Sequence, residues 1–575
     1  MRCMKKLKRL PIQLKNKFWL PIIIQGVLYI NSYAQKLPGE IHGNYDINFQ
    51  QYNSDTLINA IVPAAKAGYN AFANLVYTLG DFSTGVRFES YLNALNGFPN
   101  HYQGSGVGYR FFRYKKDAVD FIAGNFYEQF GSGLLLRAYE QRALGIDNAL
   151  DGFKFSFRPY NGVYLKTVYA KQRFDFNNTL TNGNGIVRGV DAEINVNECI
   201  DSLSKSPLRI QIGGAFVSKF EAGTSYNIGG KQIVLPQNTA AWAARSKIMY
   251  HNFNLWGEYA YKMNDPSADN NFIYKNGQAL LLTANYSTKG FSVLLASKYS
   301  DNMSFRSNRF MMLTDLPINY MPALNKQHSY NLPATLYPYA SQFSEMAYNS
   351  ELNYTLKKKT TLGGKYGTLL SFNFSRIYGV DSTVIVNDTL RRGYQAAFMK
   401  ADFSNLFYSD FNFSFKRKFN SLFTLIYVYY NLVYNNDVVQ GAFHSDGSKV
   451  HGQIRSDIHV ADLNFKLNDK HNIRGELQYL HVKSEEKHQG DWFTALVEYS
   501  YSPIWSLAVM DQFNFGNPDE KYRLHYYYIN ASYTKDATRI GIGYGRQRQG
   551  LFCVGGVCRT VPASNGLNIT VTHTF

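Results

Sequence analysis

Cysteine is scarce in this chain, with four in 575 residues. Only Cys199, Cys553 and Cys558 lie beyond the N-terminal segment, and two thiols without a neighbouring His or Cys pair do not complete a zinc site. Long apolar runs are missing too. Past residue 34 no stretch of 18 apolar residues occurs, so no transmembrane helix is expected. There is no linker, low-complexity tract or shift in composition. That argues against the several soluble domains a chain of this length would otherwise form. No fixed-period repeat supports a solenoid. Catalytic signatures are equally absent: no H-E-x-x-H, G-x-S-x-G or P-loop pattern occurs. The 12 His are scattered singly, and His451 and His459, eight apart on one expected strand, are too far apart to share a metal. The acids form no acid/base pair. An enzyme is therefore not expected, nor a cofactor, a metal or a nucleic-acid partner.

What is present begins with a targeting segment. Met1 to Lys17 carries seven Lys/Arg and no acid, and Phe18 to Ile30 is a mostly apolar core too short for a permanent span. Ser32-Tyr33-Ala34 then places small residues at the two positions a signal peptidase reads. We expect a signal peptide over 1–34, cleavage after Ala34, and one domain over 35–575. Loss of the seven basic residues lowers the formal net charge from +18 to +11. An exported chain enters an oxidising space, where Cys553 and Cys558, enclosing Val-Gly-Gly-Val, are a candidate disulfide.

Aromatics make up 16% of the chain, with 45 Tyr and 41 Phe, yet the mean hydropathy is only −0.30. A membrane barrel wants this mixture: an apolar outer band, aromatic girdles and a polar lumen. Period-two runs give about 24 strands, an even number within 22–26, from Glu40–Tyr52 to Leu567–Phe575. Short turns such as Lys115-Lys116-Asp117 and Pro159-Tyr160-Asn161-Gly162 alternate with long loops. A soluble sandwich has no reason to sort its loops in this way. The expected fold is all-β, a transmembrane antiparallel up-and-down β-barrel without a separate plug domain. Both ends fall on the short-turn side, and the first strand leaves no room for a preceding plug. Clean strands assign faces: Phe153, Phe155 and Phe157 face lipid, and Lys154, Ser156 and Arg158 face the lumen. A Lys or Arg facing lipid at mid-depth would cost about 2–4 kcal/mol. Leu422–Tyr434 is apolar on both faces and assigns neither.

Three loops stand out. Glu128–Asn148 combines Gly131 and Gly133 with Leu134-Leu135-Leu136 and the charged Arg137, Glu140, Arg142 and Asp147. Three adjacent leucines argue for folding back into the barrel, with Arg137 and Glu140 at i,i+3 in a short helical turn. Arg137, Tyr139, Glu140, Arg142 and Asp147 are the candidate constriction or binding residues; a plug salt-bridged to the wall is the other reading. Asn308–Phe343 holds Pro317, Pro322, Pro333 and Pro338 and reads as an external cap or partner-docking surface. Val380–Gly393 reads as an exposed polar loop. Because 22-stranded barrels already need a plugged lumen, the first two loops or a partner must fill this one.

The last strand, L-N-I-T-V-T-H-T-F, resembles the closing strand of bacterial outer-membrane β-barrels, which implies that Phe575 is part of a signal read by the barrel-assembly machinery. A wider resemblance rests on Phe130-Gly131-Ser132-Gly133-Leu134, Arg137, Tyr139-Glu140 and Asp147-Asn148. It continues in Gly555-Gly556-Val557-Cys558-Arg559 and Val561-Pro562-Ala563. Together with the signal peptide ending Tyr33-Ala34-Gln35, these are similar to an uncharacterised family of outer-membrane barrels from the Bacteroidota. There is also a fold-level likeness to alginate-export barrels. The resemblance implies the outer membrane of a Gram-negative cell, with lipid and an outer-membrane or periplasmic protein as partners. Two functions remain open: a porin-like channel or export pore for a polar or anionic solute, selected by inward Lys/Arg, or a non-transporting scaffold in an outer-membrane assembly or secretion complex.

Overall fold

Alternation along the strands dictates the architecture. Phe153, Phe155 and Phe157 are 56%, 40% and 37% exposed, while Lys154 between them ion-pairs with Glu128 on the opposite face at 2.5 Å. One face of such a strand is built for an apolar medium and the other is not. In the computed structural model this pattern runs through residues 38–223, 225–441, 452–483, 489–554 and 557–575, for which the structure is described, with backbone only for 551–554 and 557–559. The expected signal peptide over 1–34 and Gly555-Gly556 lie outside the described residues.

Twenty-four strands form one closed antiparallel sheet. Each pairs with its predecessor and successor in the wall, and the ring shuts where Glu40–Tyr52 meets Ser564–Thr574, in register from Asn44 with Thr574 to Tyr52 with Gly566. The Gly43 N–H donates to the Phe575 carbonyl, and the Phe575 N–H donates to the Gly43 carbonyl, both at 2.9 Å. The Phe575 ring lies over Gly43, where a Cβ would meet it at 2.9 Å. On its other edge the last strand pairs with Thr538–Gln547. The alternation thus foretold both the closed barrel and its strand number.

The two rims differ. Tight turns at Gly80-Asp81, Asn161-Gly162 and Lys289-Gly290, each with a left-handed glycine, mark one rim; Asp117 and His251, also left-handed, turn there too. Two connections there are longer: 196–207, with the short helix Val196–Cys199, and 357–367. Aromatics ring this rim, among them Phe82 with Tyr114, Phe419 with Phe423, His471 with Tyr499, and Trp505 with Tyr533. The other rim carries the long loops and a second set: Trp242 with Tyr259, Tyr479 with Phe515, and Phe513 with His525. Two aromatic girdles with aliphatic residues between them make a membrane-spanning wall. Val497, Val509, Ile529 and Ile542 belong to that exposed middle band.

Some boundaries move. Glu40–Tyr52, Phe253–Lys262 and Trp492–Tyr501 match their expected limits, whereas the polar loop expected over Val380–Gly393 shrinks to 385–393, between Thr368–Val384 and the 25-residue strand Tyr394–Lys418. Register shifts near Tyr378 and Val380 let these long strands keep pairing above the rim despite interrupted alternation. Val163–Asn177 and Thr179–Asn195 likewise stay paired to the end of their hairpin, where Asn177 meets Thr179. A test of the faces is Val509→Arg: folding into phospholipid vesicles, followed by denaturant titration, is expected to lose about 2–4 kcal/mol. An unchanged midpoint would mean that Val509 does not face lipid.

Candidate functional site

The wall is filled by its own loops. Segment 127–149 leaves the ring between Val119–Phe126 and Leu150–Tyr160, then crosses to strands far along the wall. Gly131 and Gly133 turn it, both left-handed, and a Cβ on Gly131 would meet the Glu258 carboxylate at 2.6 Å. The Ser132 N–H donates to that carboxylate at 2.8 Å. Leu134, Leu135 and Leu136 are buried in a cluster with Val187, Val217, Ala241, Ala243, Ala260 and Ala279 of the wall. Small inward residues leave room for the leucines. Phe130 packs on Gly189, where a Cβ would clash at 2.7 Å.

Most of the second loop, 302–344, also enters the barrel, while its tip at Phe310–Leu313 stays exposed at the rim. Met303, Phe305, Ile318 and Met321 join the same cluster. Leu332, Leu336, Tyr337 and Tyr339 join a second one with Val428, Tyr430, Leu432 and Tyr434. Of the two expectations for Asn308–Phe343, lumen filler and external cap or docking surface, the first describes most of the loop and the second is corrected: its apolar side chains cost least against wall strands whose inner faces are themselves apolar. Prolines that cannot join the sheet do not hinder a segment inside the ring. It also explains why Leu422–Tyr434 is apolar on both faces, one meeting lipid and the other the loop. The loops are knitted together: the Arg137 N–H donates to Ile318 O (2.8 Å), Tyr320 N–H to Gly133 O (2.9 Å), and Asn148 Nδ2 to Pro317 O (2.9 Å). Among the described residues there is no separate plug domain.

Charges pin these loops to the wall. Arg173 and Glu89, both fully buried, pair at 2.6 Å, and Arg173 also reaches Asp147 at 3.0 Å. Arg87 bonds Glu89 at 2.6 Å, Glu140 at 3.1 Å and Asp147. Tyr91 and Tyr127 donate to Glu89 and Asp147. The wall cations Lys219 and Lys298 donate to Arg306 O at 2.9 Å and Ser341 Oγ at 2.8 Å of the second loop, and Arg309 of that loop pairs with Glu221 at 2.9 Å. Burial alone would raise the Glu128 carboxyl, but Lys154 and Lys166 outweigh it and hold it below its ordinary value.

The five expected site residues separate. Glu140 and Asp147 sit in the Arg87–Arg173 network. Arg142 bonds Glu140 at 2.7 Å and lies 3.6 Å from Asp46. Arg137 does not pair with Glu140: its guanidinium lies between the Tyr139 and Tyr320 rings, 4.7 and 4.0 Å from their centroids. Burial pushes the Tyr139 hydroxyl up to about 12, against the pull of Arg137. No helical turn joins Arg137 to Glu140. Instead Gln129–Phe130 pairs with Leu136–Arg137 and Glu140–Gln141 with Ile146–Asp147, with a single 3-10 turn at Arg142–Leu144. The backbone sets Cys553 opposite Cys558 in the hairpin Gly550–Val554/Val557–Val561; the expected disulfide involves side chains outside the described residues. Among the described residues no group of His, Cys, Asp or Glu is disposed to hold a metal.

Along the closing seam the inner face is polar. Neither loop-packed cluster includes a residue of Thr538–Gln547, Ser564–Thr574 or Glu40–Tyr52. Asn44 meets Asn74 at 2.6 Å and Asn48 meets Asn568 at 2.9 Å, while the Asp46 side chain stays 40% exposed. Sequence reasoning missed Arg87, Glu89 and Arg173, the wall half of the charge network. The signal was there: Arg87, Glu89 and Tyr91 alternate on one strand face.

A closed 24-strand barrel with in-folded loops defines the class of this protein. The chain belongs to DUF6029, a family of unknown function, which it matches over residues 14–575. No curated protein matches it. Among solved structures it is similar to the siderophore receptor PirA from Pseudomonas aeruginosa, at 10% identity and TM-score 0.40, covering 94% of this chain and 81% of that one. It is also similar to the P pilus usher (PapC) translocation pore, at 9% identity and TM-score 0.39, over 93% and 99%. A third is the outer membrane transporter YddB from Escherichia coli, at 7% identity and TM-score 0.38, over 93% and 81%.

Two outcomes follow from the network. Arg173→Met leaves Glu89 and Asp147 short of a counter-charge and is expected to cost about 3–5 kcal/mol in the same denaturant titration; a neutral result would show that the network does not pin the loop. Glu128, held below its ordinary value, stabilises the fold above the unfolded carboxyl pKa near 4.3. That contribution is lost as pH falls through its folded value. Glu128→Gln is expected to be less stable at pH 7 and to flatten stability against pH on the acid side.

Proposed function

We propose that this protein is an outer-membrane β-barrel channel for a polar or anionic solute, narrowed by its own loops. The observation that carries the reading is the pair of loops, 127–149 and 302–344, folded inside a ring too wide to be left open. The polar, water-accessible inner face of the seam supports a path beside them. Signal-peptide export and assembly through the closing strand, with Phe575 at its end, complete the picture. In this reading Arg137 is the solute-facing cation at the constriction, because it is the one candidate there that no described acid neutralises. Glu140, Arg142 and Asp147 hold the loop in place, and Tyr139 orients Arg137. The scaffold reading drew on an exposed proline-rich loop, and most of that loop packs inside the ring, leaving only the tip at Phe310–Leu313 exposed.

The test is single-channel conductance and liposome swelling with the purified protein. Wild type is expected to conduct far less than an open pore of its circumference. Replacing 129–147 by a short Gly-Ser linker is expected to raise conductance several-fold. Arg137→Ala is expected to lower the swelling rate for small anions relative to arabinose. Equal conductance with and without the loop would overturn the channel reading.

A further inference from the structure

Where the seam reaches the long-loop rim, a cavity of about 590 Å³ opens beside the short helix Asn331–Leu336. Its size falls in the range of small-molecule sites. Thr335, Trp492, Asn514, Asn517, Tyr526 and Arg548 line it. These come from the in-folded loop, from wall strand ends and from two rim loops, so closure of the ring assembles the cavity.

Its polar groups are poised and incompletely used. The Arg548 guanidinium is held in place, with Nη2 donating to Thr335 O at 2.8 Å and to Thr335 Oγ1 at 2.9 Å, and lies 5.6 Å from the Trp492 ring centroid. Among the described residues no carboxylate pairs with it. The acid at the cavity edge, Asp519, is engaged by Lys521 at 2.8 Å. Trp492 is 1% exposed and Asn514 3% exposed, and among the described residues neither the Trp492 indole N–H nor Asn514 Oδ1 has a hydrogen-bond partner. A buried donor or acceptor left unpaired is costly, so both atoms call for a partner that the described residues do not supply. Burial without an anion pulls Arg548 down to about 10, against the nearby Tyr526 and Tyr337 hydroxyls.

We propose that this cavity is a solute-binding site for a small hydroxy-carboxylate, with Arg548 and the Trp492 N–H receiving the carboxylate and Asn514 Oδ1 accepting from a hydroxyl. The guanidinium keeps N–H donors that Thr335 does not use, and these, with an indole N–H, can donate to carboxylate oxygens. The Tyr526 and Trp492 rings supply apolar walls for the carbon skeleton. The inference rests on the channel reading, placing a capture site at the mouth of the path, but its binding test is separate.

Binding of D-gluconate, L-tartrate and D-glucuronate to the folded, detergent-solubilised full chain is measured by calorimetry, with D-glucose as the uncharged control. At least one of the acids is expected to bind, and glucose at least tenfold more weakly. Arg548→Gln is expected to weaken binding at least tenfold, and Arg548→Lys to recover only part of it, since Lys keeps the charge but cannot hold Thr335 and the acid at once in the same planar geometry. Trp492→Phe keeps the ring and is expected to weaken binding several-fold. Far-UV circular dichroism and heat-modifiable migration establish that each variant is folded. No binding of any of the three acids, or equal binding by wild type and Arg548→Gln, overturns the site. Arabinose swelling run in parallel separates the two claims. Swelling without acid binding removes the site and keeps the channel; acid binding without swelling does the reverse.

Discussion

Backbone hydrogen bonding inside hydrocarbon governs this structure. Each peptide group left unpaired there costs several kcal/mol, so a sheet crossing a bilayer has to have no free edge. The contact that removes the edge joins residues some 520 positions apart, as in Asn48 with Asn568. Every other feature presupposes it. The outward Val, Ile, Leu and Phe of the middle band need lipid around a complete ring, and the in-folded loops need an enclosed interior.

Closure by 24 strands creates a second requirement, because the ring is then wide. Here the long loops meet it, with no separate plug among the described residues. Each loop packs its apolar residues against a stretch of wall whose inner face has turned apolar or small: Ala241, Ala243 and Ala260 under the leucines, and Val428, Tyr430 and Leu432 under the second loop. Paired buried charges then fix the arrangement, at a desolvation cost that only good geometry repays. The seam strands carry Asn, Gln, Ser and Thr inward instead, and neither apolar loop cluster reaches them.

Much of the wall was legible because period-two alternation is local. Glu40–Tyr52 and Trp492–Tyr501 could be read without their neighbours. Reading failed where a strand stayed paired while its pattern lapsed. Thr181-Asn182-Gly183-Asn184-Gly185 reads as a turn, yet it lies within a strand because the second loop passes so close that a Cβ on Gly185 would sit 1.9 Å from Ser307 O. Leu134-Leu135-Leu136 announced its burial, but Arg137 and Glu140 were misjudged as partners. Their separation depends on two small hairpins and on wall residues Arg87 and Arg173, which no i,i+3 rule encodes. The rim cavity was illegible, since its lining comes from seven separate parts of the chain.

The most direct test of the account is where Phe130 lies. With benzoylphenylalanine in place of Phe130, irradiation of the protein in lipid vesicles and mass spectrometry of the products should place crosslinks on the inner wall around Val168 and Gly189, the groups beside the ring. Crosslinks to lipid, or none to Val163–Asn177 and Thr179–Asn195, would contradict a lumen filled by the chain's own loops.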